Sequence, residues 1–333
     1  MPRKGSHTPK PPISDPNDPH GWHCLTEAYF EWMGFTNYSP RTISNRRTYL
    51  GYFVLWCIER GITQPCEVSR ATIERYQRYL FHYRKKNGES LSVRSQHTRL
   101  VPVRAVFKWL TRNNYILHNP ASEIDLPKLE HRLPKHVLTV GETEAVLRRP
   151  NLNDPMGIRD RAMLETLYST GMRRMELIGL KVYDLDPDRG TIIIRQGKGR
   201  KDRMVPIGER AVLWIDRYLE EVRPSLVREP DDQTIFLTNL FEPFTPNRLT
   251  QLVRTYIDAA DIGKRGSCHL FRHTCATLML ENGADIRFIQ QMLGHAKLET
   301  TQIYTQVSIR KLKEIHAATH PARLERDAKV PVK

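Results

Sequence analysis

Apolar residues recur at helical spacing through most of this chain and alternate as in a strand in only one short region. Trp22–Phe35 is amphipathic. Ser39-Pro40 is a helix start, an N-cap followed by proline in the first turn. It leads into a helix over 41–60 with Tyr49, Phe53 and Trp56 on one face and Gly61 as its stop. Ser69 caps a third helix that the pattern carries to Lys86, with Ile73, Tyr76 and Leu80 inward. Past the turn at Asn87-Gly88, a fourth helix spans Ser92 to Asn113, and Pro102 inside it predicts a kink.

From Asn119-Pro120 to Lys135 the periodicity fades, and Pro120, Pro127 and Pro134 stand among charges, which reads as a linker. Thr139-x-x-Glu142 is a capping box. A helix from Gly157 to Thr170 follows, with Ala162, Met163, Leu164, Leu167 and Tyr168 as its apolar side and Gly171 as its stop. Thr191–Arg195 and Arg203–Ile207 flank a Gly-rich turn and predict a β-hairpin with Lys198 and Lys201 at its tip. Helices over 209–222 and 246–260 lead to a last helical block. There Phe271, Thr274, Cys275 and Leu278 form an inward face, and Asn282-Gly283 is a stop. Asp285 opens a segment with Ile286, Ile289, Met292 and Leu293 on one side, ended by Gly294, and Arg310–Ala318 is a final helix. The fold class is mainly α with a small β-sheet. The expected organisation is a disordered tail over 1–20, a four-helix domain over 21–118 and a linker over 119–135. An α+β domain over 136–320 and a flexible tail over 321–333 follow.

Charge narrows the function. The chain of 333 residues carries a formal +15, which favours a polyanion, nucleic acid before an anionic membrane surface. From 84 to 112, Arg84, Lys85, Lys86, Arg94, Arg99, Arg104, Lys108 and Arg112 face Glu89 alone, a surface suited to gripping phosphates. A solvated basic face is the plainer alternative. No apolar run approaches the ~20 residues of a spanning helix. The N-terminus lacks the apolar core of a signal peptide. Five scattered cysteines without a CxxC pair suit a reducing cytosol, so a cytoplasmic location is expected.

Candidate chemistry gathers in Ser267–Thr305. His269 and Arg272, three apart, share a helix face, and His295 and Tyr304 follow in short segments. Two imidazoles, a guanidinium and a phenol suit an anion that a phenolate attacks, and a phosphodiester fits. Cys268, His269, His273 and Cys275 invite a zinc reading, but their spacing matches no structural zinc pattern. No acidic cluster calls for Mg²⁺, and Gly197-x-Gly199 lacks the lysine and helix of a nucleotide loop. No cofactor is expected.

Five pieces in order carry a resemblance: L-Y-S-T-G-M-R-R-M-E-L (167–177), G-K-G-R-K-D-R-M-V-P (197–206), H-L-F-R-H (269–273), L-G-H (293–295) and T-T-Q-I-Y-T (300–305). Together they are similar to the tyrosine recombinases, or phage-integrase family, in particular to the bacterial Xer-type members. The N-terminal helices resemble the family's core-binding domain in character only. The resemblance implies Arg173 and Arg272 as the phosphate-binding arginines and Tyr304 as the nucleophile. His269 matches an acid/base group, Lys198 the general acid for the leaving 5′-oxygen and His295 a phosphate hydrogen-bonding position. Glu176, three after Arg173, is expected on the same helix face as a supporting acid. Arg174 competes with Arg173, and Lys201 with Lys198.

The implied activity is metal- and ATP-independent site-specific DNA recombination through a 3′-phosphotyrosyl intermediate, either integration and excision or resolution of DNA molecules. The implied partners are double-stranded DNA, a tetramer of this chain on two DNA sites with a Holliday-junction intermediate, and a second recombinase or accessory protein. Residues 310–318 match a C-terminal segment that docks into a neighbouring protomer, with Leu312 and Ile315 as anchors. The alternatives are a type IB topoisomerase-like activity and a catalytically silent DNA-binding protein.

Overall fold

The computed structural model describes residues 14–129, 136–195, 202–295, 299–302 and 304. The chain divides into two compact units, Met1–His131 and Arg132–Lys333. Most of it is helical, with one small antiparallel sheet.

The first unit holds α1 (Trp22–Phe35), α2 (Pro40–Ile58), α3 (Arg70–His82) and α4 (Val93–Arg112). The side chains of Ser39, Ser69 and Ser92 cap α2, α3 and α4 by accepting from the amides of Thr42, Thr72 and Ser95. Large aromatics fill the centre. Trp22 meets Phe53 edge-on at 5.8 Å, and Phe53 meets Tyr76 at 4.9 Å. Each fully buried large apolar side chain contributes roughly 1.5–3 kcal/mol.

Three expectations change here. The third helix ends at His82 rather than Lys86, because Tyr83 turns extended and the Lys85 amide bonds to the Glu89 carbonyl across a Gly88 turn. Arg84, Lys85 and Lys86 therefore sit on a loop. Residues 14–20, expected in a disordered tail, are tied down. The Ser14 hydroxyl accepts from the His23 amide at 2.8 Å, and the Asp18 carboxylate accepts from Gln64 at 2.9 Å. The start of the expected linker packs on this unit, with Ala121 and Ile124 buried in its core. Residues 130–135 lie outside the described residues.

The second unit is built on α6 (Pro155–Thr170), which follows α5 (Val140–Leu147). The short α7 (Arg174–Ile178) leads to β1 (Leu185–Asp186), β2 (Thr191–Ile194) and β3 (Arg203–Pro206), paired in that order. Thr191 lies opposite Pro206 and Ile194 opposite Arg203. The hairpin was legible in the alternation, but β1, two residues long, was not. Then come α8 (Glu209–Glu221), α9 (Pro246–Ala259), α10 (Cys268–Glu281), α11 (Ile286–Leu293) and α12 (Glu299–Gln302). The expected helix over 310–318, with Leu312 and Ile315, lies outside the described residues. No helix among the described residues is long and apolar enough to cross a membrane.

The sequence assigned α6 one apolar side, but the structure buries it all round between α8 and α10. Its charges go inside as pairs, Arg159 with Asp160 at 2.6 Å and Arg161 with Glu165 at 2.7 Å. Tyr256 donates to Asp160 at 2.8 Å, and Arg210 reaches Glu165 at 2.9 Å. Buried charge is tolerated because it is paired and hydrogen-bonded.

Gly171 ends α6 at φ 58°, in the left-handed region, and a Cβ there would lie 2.8 Å from Leu293 Cδ2. Alanine is strained on both counts. Gly171→Ala is expected to cost the second unit ~1–3 kcal/mol. Urea unfolding followed by Trp214, the only tryptophan of that unit, measures it, and an unshifted transition would contradict the assignment.

Candidate active site

The site forms where α6, α7, β3, α10 and α11 converge. The left-handed turn at Gly171 brings Arg173 to the N-cap of α7. Glu176 stands at the third position of α7 and accepts from the Arg173 amide at 2.8 Å and from its guanidinium at 2.9 Å. The two residues thus meet across a cap and not, as the spacing suggested, along one helix face. The same carboxylate takes a two-pronged pair from Arg203, at 2.9 and 2.7 Å. Arg174 turns away to the Thr250 hydroxyl at 2.9 Å.

Gly294 ends α11 at φ 64°, and a Cβ there would meet the Arg203 side chain at 3.1 Å. The bare backbone lets three arginines close on the helix end. Arg203 Nε donates to the Met292 carbonyl at 3.0 Å and Arg272 to that of Leu293 at 2.7 Å. Arg173 donates to the carbonyl of Gly294 at 3.1 Å. Arg272, on α10, is buried and also donates to the Gly171 carbonyl at 2.8 Å. Three guanidiniums thus face one carboxylate, which leaves the site positive and suited to an anion. Burial, then the neighbouring charge of Arg173, pushes Arg272 down to about 10, so it stays a cation at neutral pH.

His295 follows Gly294. Its Nε2 lies 2.8 Å from Arg272, which only donates, so Nε2 accepts. Nδ1 then carries the proton and donates to Thr301 Oγ1 at 2.8 Å. Tyr304 is buried against Ala276, Leu280, Ile289 and Leu293. Its ring stacks over His295 at 6.4 Å and tilts against His273 at 5.7 Å. Burial raises its pKa, while the charge of Arg272 and a hydrogen bond from it pull the other way. His269 is exposed, one turn before Arg272. The protein packed around its ring, then the charges of Arg272, Arg174 and Arg173, hold it below the ordinary histidine value.

Arg173, Glu176, Arg272, His295 and Tyr304 therefore share one site, with His269 on the same helix as Arg272. Lys198 and Lys201 lie outside the described residues. The sequence reading missed Arg203 and Thr301. Arg203 was detectable, because strand alternation puts it on the same face as buried Val205. Thr301 depends on a contact that no periodicity encodes. In the first unit, Arg94, Lys108 and Arg112 are exposed on α4, while Arg104 is half-buried. Arg99 lies over the rings of Tyr52 and Tyr83 at 4.8 and 5.2 Å. Lys85 pairs with Glu89 at 3.0 Å, Arg84 bonds the carbonyls at the end of α3, and Lys86 is exposed.

Residues 136–310 match the Phage integrase family, and the chain belongs to it. It is 53% identical over 301 residues to tyrosine recombinase XerC 2 of Ralstonia nicotianae, covering 90% of this chain and 86% of that one. Its fold matches XerH recombinase in a post-cleavage complex with a palindromic difH substrate, with TM-score 0.67 and 23% identity. That match covers 83% of this chain and 79% of XerH. The fold also matches a lambda integrase tetramer bound to a Holliday junction, with TM-score 0.62 and 18% identity, over 88% of this chain and 78% of that one. The class of enzyme is therefore a site-specific tyrosine recombinase, and the topoisomerase-like and silent readings are not favoured.

Burial pushes the Glu176 carboxyl up, but the hydrogen bonds from Arg203 and Arg173 hold it net below the ordinary value of 4.5. Its contribution to stability is present above that value and is lost as pH falls through the lower folded one. Glu176→Gln is expected to lower unfolding free energy at neutral pH by ~2–4 kcal/mol. The gap to wild type should narrow as the medium is acidified below 4.5, and parallel stability–pH curves would contradict the account.

Proposed function

We propose that the site cleaves and rejoins double-stranded DNA, with Tyr304 as the nucleophile. The Tyr304 oxygen bonds to the scissile phosphorus, and the bond to the 5′-oxygen breaks. The leaving oxygen takes a proton, a role given to Lys198. The product is a 3′-phosphotyrosyl ester and a free 5′-hydroxyl, and attack by a hydroxyl from a partner duplex reverses the step. The ester conserves the bond energy, so no ATP is consumed. Arg173 and Arg272 hold the nonbridging oxygens and stabilise the charge that grows on them. Glu176, held by Arg203, positions Arg173. His269 serves proton transfer near the phenol, and His295 takes up a proton at Nε2 as it passes from Arg272 to the phosphate, to which it then donates.

One observation carries this reading: a buried phenol set beside Arg272 where three guanidiniums face one carboxylate. Arg84, Lys86, Arg94, Arg104, Lys108 and Arg112 are the residues proposed to grip the DNA backbone, with Lys85 and Arg99 held partly by Glu89 and by aromatic rings. Lys201 would assist from the hairpin. The active form is proposed as a tetramer of this chain on two DNA sites in the cytoplasm, with a second recombinase or accessory protein as a further partner. The lambda integrase assembly supports the tetramer by analogy of fold.

The test is covalent trapping on nicked suicide duplexes tiled from the DNA flanking the gene, in the presence of chelator. The wild-type chain should give a protein–DNA adduct on a denaturing gel, and Tyr304→Phe none while still binding the duplex. Arg173→Ala and Arg272→Ala should each slow adduct formation by on the order of a hundredfold or more. An adduct that survives Tyr304→Phe would move the nucleophile elsewhere. Absence of any wild-type adduct would sink the reading.

A further inference from the structure

Two polar atoms of α10 have no role in the scheme above. Nδ1 of His273 and Oγ1 of Thr277 are buried and have no hydrogen-bond partner among the described residues. Four residues apart, they sit one turn from each other on neighbouring parts of the same helix face. The His273 ring lies 5.7 Å from the Tyr304 ring, tilted by 56°. Ala276 and Leu280, further along α10, pack with Tyr304 in one apolar cluster. An unpaired ring nitrogen beside an apolar seat weakens the fold, and a buried orphan of this kind calls for a partner met in another state.

Two of the neighbouring acceptors are engaged. Glu176 is held by Arg173 and Arg203. His295 receives Arg272 on one nitrogen and gives its proton to Thr301 from the other. His269 sits one turn back on the exposed side of α10. Arg272 is the cation nearest in effect to the phenol, its charge and a hydrogen bond from it drawing the Tyr304 pKa down against burial. A phosphate competes for that guanidinium, and the phenol hydroxyl then needs an acceptor that keeps its lone pair aimed at phosphorus.

We propose that His273 is a positioning residue for Tyr304, its unpaired Nδ1 accepting the hydrogen bond of the Tyr304 hydroxyl when a DNA phosphate engages Arg272. The inference rests on the recombinase reading of the site. The ring is neutral: burial, then the charges of His269 and Arg272, push it down to about 4. It therefore orients the hydroxyl through a hydrogen bond before reaction and does not keep the proton, which passes to His269 as the phenol oxygen bonds to phosphorus.

The test compares His273→Phe, which keeps a ring and removes the acceptor, with His273→Asn, which keeps a polar atom near the Nδ1 position. The full chain is used with the suicide duplex. His273→Phe should melt and bind DNA as wild type does, yet form the adduct on the order of ten- to a hundredfold more slowly. His273→Asn should recover most of that rate. His273→Phe reacting as fast as wild type, or His273→Asn as slow as His273→Phe, overturns the proposal. Should His273→Phe fold poorly, ¹⁵N-histidine spectra of the chain bound to intact duplex decide it. The His273 Nδ1 resonance should differ between wild type and Tyr304→Phe, and identical resonances overturn the proposal. A wild-type chain that forms no adduct removes the recombinase reading and this inference with it. A reacting wild type beside an equally reactive His273→Phe removes this inference alone.

Discussion

The end of α11 is the point on which the site depends. A helix leaves its last carbonyls without partners and carries partial negative charge there. Here three successive carbonyls, of Met292, Leu293 and Gly294, are each taken by a different arginine, Arg203, Arg272 and Arg173. Those arginines arrive from β3, α10 and the N-cap of α7. One helix terminus thereby fixes three side chains that sequence separates widely. It also supplies the partial negative charge that lets three cations crowd together. Gly294 makes the approach possible, and Glu176 bridges two of the three.

This arrangement explains why the site wants an anion. One carboxylate and a set of carbonyl dipoles offset three full charges only in part. Burial and the charge of Arg173 already press Arg272 below its usual pKa. A phosphate between Arg173 and Arg272 would relieve that pressure, and it would arrive next to a phenol held in an apolar seat. The positive field lowers the cost of forming phenolate while burial raises it, and burial wins, so the proposed nucleophile is held as a neutral phenol.

Much of this was legible along the chain. Serine caps, a proline in the first turn of α2 and stops at Gly171 and Gly294 located most helices, because those signals act on the local backbone. Arg173, Arg272, His295 and Tyr304 stood out through residue types in a recognisable order. What the sequence concealed was tertiary. α6 hides Arg159, Arg161 and Glu165, whose burial depends on partners that periodicity cannot see. Arg203 looked like the first residue of a strand, and its tie to Glu176 spans 27 positions. The helix through Lys86 failed at Tyr83 because a hairpin pairing competed with a weakly specified helical end.

Arginine capping of α11 orders the site, and hydrogen–deuterium exchange on Arg272→Gln measures that ordering. Faster exchange is expected at the amides of 289–295 and 171–177, with the first unit unchanged. Exchange at those segments identical to wild type would mean that the helix end is ordered without Arg272, and the account would be wrong.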